Sequence, residues 1–254
     1  MTPRTGPAPG ARAAVFAQLA DVGRAEQVAQ RLSDAIVLGL FAPGERLPNE
    51  TELARRFGVA LITAREGLSV LRDAGLVETR RGRDGGSFVT TTQTPDDTVL
   101  HDRLLHVSQV ELSDLTAYFA TIVAGSVELA AERSTVQDTE RLKDWLRSAD
   151  FGTGANGHRN AGGFYLELAV LSQSARLVRE NIRLQAEFGT LLWLCMGDAG
   201  MRKQTASSNV RIVDAIADHD PEEARSQVRR QIQSMTEWLL DAKAQTEREA
   251  LDDA

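Results

Sequence analysis

The chain has 254 residues, with 29 Lys plus Arg against 36 Asp plus Glu, for a formal charge of −7. At roughly 150 residues per domain that is one or two domains; with no apolar run near 18 residues, a membrane-spanning helix is excluded. Cys195 is the only cysteine, which excludes an intrachain disulfide and fits a reducing, cytoplasmic compartment.

Residues 1–21 are rich in Pro, Gly and Ala and read as a flexible leader, without the apolar core of a signal peptide. From Arg24 to Leu40, Val28, Leu32, Ala35, Ile36 and Leu40 recur at helical spacing. Pro43, Gly44 and Pro48 break that helix. Asn49 then caps a second helix over "ETELARRF", with Glu52 completing a pattern like a capping box and Gly58 ending it. A third helix follows over residues 60–75, apolar at Ala64, Leu68 and Leu71 and stopped by Gly75. "LVETR" and "SFVT" alternate as short strands around the turn "RGRDGG", which predicts a hairpin.

Residues 91–109 are rich in Thr and Asp, contain Pro95, and read as a linker. Beyond them the strand signals stop. Stretches 113–134, 136–150, 161–197, 206–220 and 221–250 all carry a 3.6-residue period, giving a bundle of about six or seven helices. Residues 151–163, "FGTGANGHRNAGG", read as a glycine-rich break, with His158 in a loop. Pro221 after Asp220 is a normal helix start, and Cys195 and Met196 lie in an apolar run expected in the core. The predicted fold is therefore mainly α. It has a leader (1–21), a winged helix-turn-helix head (22–90), a linker (91–109), an all-α body (110–246) and a tail (247–254).

The charge is divided along the same line. Residues 1–90 hold 12 Arg and 10 acidic residues, a net of +2, and the remainder carries −9. That is the distribution of a modular protein whose head meets an anionic partner.

Helix, turn, helix and basic hairpin is the order of a winged helix-turn-helix, in which one helix enters the major groove and the hairpin reaches phosphates or the minor groove. Residues 36–89, including "PGERLPNETELARRFGVALITAREGLSVLRDAGL" and the wing "GGSFV", closely resemble the DNA-binding domain of GntR-family bacterial regulators. By that resemblance Thr63 and Arg65 of the third helix contact phosphate and base edges, and an arginine there has the fork that guanine O6 and N7 require. Two arginines of the family pattern are missing, replaced by Leu61 and Thr51, the latter kept as a candidate contact. The wing restores cations with Arg80, Arg81 and Arg83 around Gly82, all four taken as DNA-binding. Leu61 or Ile62 either touches a thymine methyl or packs inward.

"ELAAERS" (128–134), "GFYLELAVLSQSARL" (163–177) and "NVRIVDAIADHDPEEARSQVRRQI" (209–232) resemble the effector-binding and dimerisation FCD domain of the FadR subfamily. Many members hold a divalent metal there through one Asp and three His, ligands suited to zinc or nickel. The matching positions are Ala161, Tyr165, Asn209 and Gln231, so no metal or other cofactor is expected. The subfamily also places E-x-R-x-x-x-E on the helix where this chain has Ala117, Phe119 and Val123, which removes a carboxylate clamp. Phe119, Val123, Tyr165, Asn209 and Gln231 are the candidate effector pocket, with a fatty acid or acyl-CoA as the expected ligand class. The alternative is a body filled by Phe119, Tyr165 and Trp193 that only dimerises.

No Gly-rich phosphate loop, G-x-S-x-G, C-x-x-C or spaced pair of metal ligands points to catalysis. The resemblance implies a DNA-binding regulator rather than an enzyme. It is expected to repress as a homodimer on a pseudo-palindromic operator, without a membrane partner.

Overall fold

The computed structural model describes residues 23–38, 40–82, 85–90 and 97–252. They form two compact units that divide between residues 93 and 94. The leader and Arg83 lie outside the described residues.

The first unit contains α1 (Arg24–Val37), α2 (Glu50–Phe57), α3 (Leu61–Asp73), β1 (Val77–Arg80) and β2 (Gly86–Val89). Val28, Leu32, Ile36, Leu68 and Leu71 are buried, as their helical spacing predicts, and so are Leu53 and Phe57 of α2; Leu40, expected in the first helix, is buried beyond its end at Val37. Asn49 Oδ1 accepts from the Glu52 N–H at 2.9 Å, and Gly58 ends α2 in the left-handed region at φ 67°. The capping box is only half made, because the Glu52 carboxylate pairs with Arg55 and Arg56 instead.

The strands are antiparallel, with Val77 opposite Val89 and Arg80 opposite Gly86. The predicted turn before α2 also joins this sheet. Gly44 N–H donates to Val89 O at 2.8 Å, and Leu47 N–H to Ser87 O at 2.9 Å. Pairing on both sides of β2 anchors the wing to the helices.

Gly67 sets how closely α1 and α3 approach. A Cβ there would lie 2.7 Å from Val28 Cγ1 and 3.1 Å from Ala25 O. Gly67→Ala is therefore expected to destabilise the head by about 1–3 kcal/mol through overpacking. Urea unfolding of Gly67→Ala, Val28→Ala and the double variant tests this. The double variant should be more stable than the two single losses together predict.

The second unit contains α4 (Asp97–His106), α5 (Gln109–Arg133), α6 (Val136–Ser148), α7 (Gly154–Leu171), α8 (Ala175–Gly197), α9 (Ala199–Ala217) and α10 (Pro221–Asp252). The polar segment read as a linker thus holds a helix, whose Leu100 and Leu104 lie in the body's core. Their spacing of four puts both on one face. Composition hid this signal. The buried Lys243 of α10 donates to Leu104 O and Leu105 O, both at 3.1 Å, and pairs with Glu247 at 2.8 Å. A cation thus meets the carbonyl end of α4. The residues read as a tail continue α10 to Asp252.

Ser108 and Thr135 start α5 and α6 with complete capping boxes. The glycine-rich break is also helical, since α7 begins at Gly154 behind the Thr153 cap. Its glycines admit neighbours instead of breaking the chain. A Cβ at Gly157 would meet Arg202 at 3.0 Å, and one at Gly163 would meet Trp145 at 3.1 Å. Conversely, the long periodic stretch 161–197 is interrupted at residues 172–174, where α8 begins behind Ser174. Among the described residues no helix is long and apolar enough to cross a membrane.

Candidate functional site

The residues predicted to contact DNA fall in the first unit, and those predicted to line an effector pocket fall in the second. On α3, Ala64, Leu68 and Leu71 face the core. Leu61, Ile62 and Arg65 are exposed in its first turns, and Thr63 is half-buried. Arg65 reaches back to α2, where its Nε and Nη2 both lie 3.0 Å from Glu50 Oε2. Glu50 is thereby paired with Arg65. The Arg46 side chain instead lies against the backbone of Gly86.

Arg55 and Arg56 share Glu52 at 2.8 and 2.6 Å. Those hydrogen bonds, that of Arg55 foremost, hold the Glu52 carboxyl at about 2, so it stays ionised at physiological pH.

In the wing, Arg80 is less available than its sequence position implies. It pairs with Glu78 at 2.7 Å and stacks its guanidinium 4.4 Å from the centre of the Phe88 ring. Arg81 is exposed, and Gly82 takes φ 113° at the hairpin tip. Thr51 is exposed in the first turn of α2.

In the body, positions far apart in sequence converge. Tyr165 Oη donates to Gln231 Oε1 at 3.1 Å. Gln231 Nε2 donates to Asn209 Oδ1 at 2.7 Å and to Thr205 O at 3.2 Å. Tyr165, Asn209 and Gln231 are all buried, as are Phe119, Val123 and Ala161. Phe119 meets Tyr165 edge-on with centroids 5.1 Å apart and stacks on Phe188 at 5.0 Å. The filling ring expected at Trp193 is thus supplied by Phe188. Trp193 stacks on His158 at 4.3 Å.

Two groups of polar atoms remain unpaired within this interior. Asn209 Nδ2 and Thr205 Oγ1 have no hydrogen-bond partner beside Gln231. On α8, Gln185 Nε2 donates to Asn181 Oδ1, leaving Asn181 Nδ2 and Gln185 Oε1 unpaired. Gln185 Oε1 faces Gly162, next to Ala161. Thr205, Asn181 and Gln185 escaped the sequence reading. Polar residues four apart on one helix face, inside an apolar stretch, were the available signal for the α8 pair.

The Ala161, Tyr165, Asn209 and Gln231 set does not suit zinc or nickel. It offers neither imidazole nor carboxylate, and burial raises the Tyr165 pKa, opposing a phenolate ligand. Elemental analysis of purified, unchelated protein is expected to find zinc and nickel well below one per chain. A stoichiometric content would overturn that.

His158, expected in a loop, lies on α7. Burial lowers its pKa to about 4, against a hydrogen bond with the Gly189 backbone that raises it. Below about pH 6.5 the unfolded chain takes up a proton that the folded chain refuses until about pH 4. Stability should therefore fall as pH drops through that window, by about 2 kcal/mol once partial exposure is discounted. Urea titrations at pH 7 and 4.5 should show a smaller acid loss in His158→Gln. Equal losses would remove His158 from the account.

Comparison with known proteins supports the same division. The model of bacterial regulatory proteins of the gntR family matches residues 24–89, and the FCD domain model matches residues 114–234. The HTH-type transcriptional regulator RmpR of Mycobacterium gastri is 35% identical over 232 residues, covering 90% of this chain and 85% of that protein. The Uxu operon transcriptional regulator of Escherichia coli K12 is 28% identical over 235 residues, covering 85% and 86%. Among solved structures, E. coli McbR/YncC superposes with a TM-score of 0.50 at 19% identity, over 87% of this chain and 99% of that one, a likeness of fold. With a GntR-type helix-turn-helix joined to an FCD domain, this chain belongs to the GntR family of bacterial DNA-binding transcriptional regulators.

Proposed function

We propose that the chain represses transcription as a homodimer on a pseudo-palindromic operator, one head per half-site. A small ligand in the helical body, of the fatty acid or acyl-CoA class, lowers its affinity for DNA. Arg65 and Thr63 meet the major groove, while Arg81 and the Gly82 backbone meet phosphate or the minor groove.

The observation that carries the ligand reading is the unpaired Asn209 Nδ2 and Thr205 Oγ1 in the bundle core. A buried polar group without a partner costs roughly 1–3 kcal/mol, and a ligand acceptor would relieve that cost. Both atoms can donate, which suits a carboxyl or thioester oxygen. Phe119 and Val123 supply an apolar surround without a cation. This favours an amphipathic ligand over a small sugar acid.

A second reading, in which the body only dimerises, is favoured by the contact of Phe119 with both Tyr165 and Phe188. A thermal-shift panel of fatty acids, acyl-CoAs and small organic acids separates the two. A ligand that prefers the folded state raises the melting temperature, and an effector must also change operator affinity. A hit with both effects, lost in Asn209→Leu, supports the ligand reading. A panel with no such hit supports the dimerisation reading.

A further inference from the structure

The start of α3 exposes more apolar surface than a solvated helix end needs. Leu61 and Ile62 are 44% and 55% exposed, so neither packs inward. Around the helix Arg65 lies between them, one turn on from both. The three side chains therefore form one surface, apolar on either side of a guanidinium that Glu50 holds in place.

Residues in the first turns of a recognition helix are those that meet base edges. In the major groove the thymine C5-methyl is the apolar group on a base edge. We infer that Leu61 and Ile62 read thymine methyls flanking the base contacted by Arg65, so that each half-site pairs a guanine with at least one neighbouring thymine. This rests on α3 being the helix that enters the groove. It assigns specificity to Leu61, which replaces an arginine of the family pattern, and to its neighbour Ile62.

Binding sites selected from a random duplex library by the full-length protein provide the substrate for the test. Each thymine in the enriched half-site is then replaced by deoxyuridine, which removes the methyl and leaves the hydrogen-bonding edge unchanged. Affinity should fall by about fourfold at one or two positions, the value of burying one methyl group. Leu61→Ala or Ile62→Ala should bind thymine and deoxyuridine alike at those positions and keep the preference for guanine. Both side chains are exposed, so folding should survive, as circular dichroism can check.

Equal binding of thymine and deoxyuridine by the unaltered protein overturns the inference alone. So does a methyl effect that persists in both variants. Failure to enrich any sequence overturns it together with the operator reading.

Discussion

Arg65→Ala is expected to weaken operator binding by about 10- to 100-fold and to remove the preference for guanine at one position of each half-site. A bidentate arginine–guanine contact contributes roughly 1–3 kcal/mol of discrimination. Arg65 is exposed on α3 and tied to Glu50 by an ion pair with both partners partly in solvent. Such a pair contributes little to stability, so exchanging Glu50 for a base edge is inexpensive, while the pair keeps the long side chain from roaming. Arg65→Lys should lose most of the preference too, because an ammonium lacks the planar fork. Arg81→Ala provides the contrast. Its loss should be similar on every sequence, with the salt dependence of binding flattened by about one ion. Fluorescence anisotropy on the operator, single-base variants and unrelated DNA, at several salt concentrations, distinguishes the two patterns. If Arg65→Ala weakens all sequences equally, Arg65 is a phosphate contact and the base reader lies elsewhere.

Gln231→Leu should destabilise the body by about 3 kcal/mol, because it strands two groups at once. Tyr165 Oη loses its acceptor and Asn209 Oδ1 its donor, while Thr205 O loses only a second donor beside its helical one. Each stranded group costs on the order of 1–3 kcal/mol in a dry interior. Met235 Sδ, 3.6 Å from Tyr165 Oη, is a weak substitute acceptor. Adding Tyr165→Phe should cost less in the Gln231→Leu background than in the native chain, because the stranded hydroxyl is removed with its orphaned state. Chemical denaturation of the two single variants and the double variant gives the coupling directly. Additive losses would mean that the tyrosine and glutamine do not act as a pair.

The head was largely legible in the sequence because its signals are local. Asn49, Gly58 and Gly75 mark helix ends, and the Ala64, Leu68 and Leu71 spacing gives α3 its buried face. Where the reading went wrong, composition outweighed pattern. The Thr- and Asp-rich segment concealed Leu100 and Leu104, and the glycines of α7 were read as breakers. In the body they let Arg202 and Trp145 pack close to the helix. Glycine lowers helix propensity by about 1 kcal/mol, and tertiary packing overrides that.

The sequence alone determined the order and type of most elements, the basic head and acidic body, and the loss of every imidazole and carboxylate from the four positions matched to the FCD metal site. These follow from residue identity and short-range spacing. The tertiary structure decided which side chains meet. It paired Arg65 with Glu50 and Arg80 with Glu78, left Leu61 and Ile62 in solvent, and joined Gln231 to Tyr165 and Asn209 across 66 and 22 positions of chain. Such partners are chosen by how whole helices pack, since a ridge on one helix fits a groove on another only after the core has closed. No local pattern in the chain records that choice.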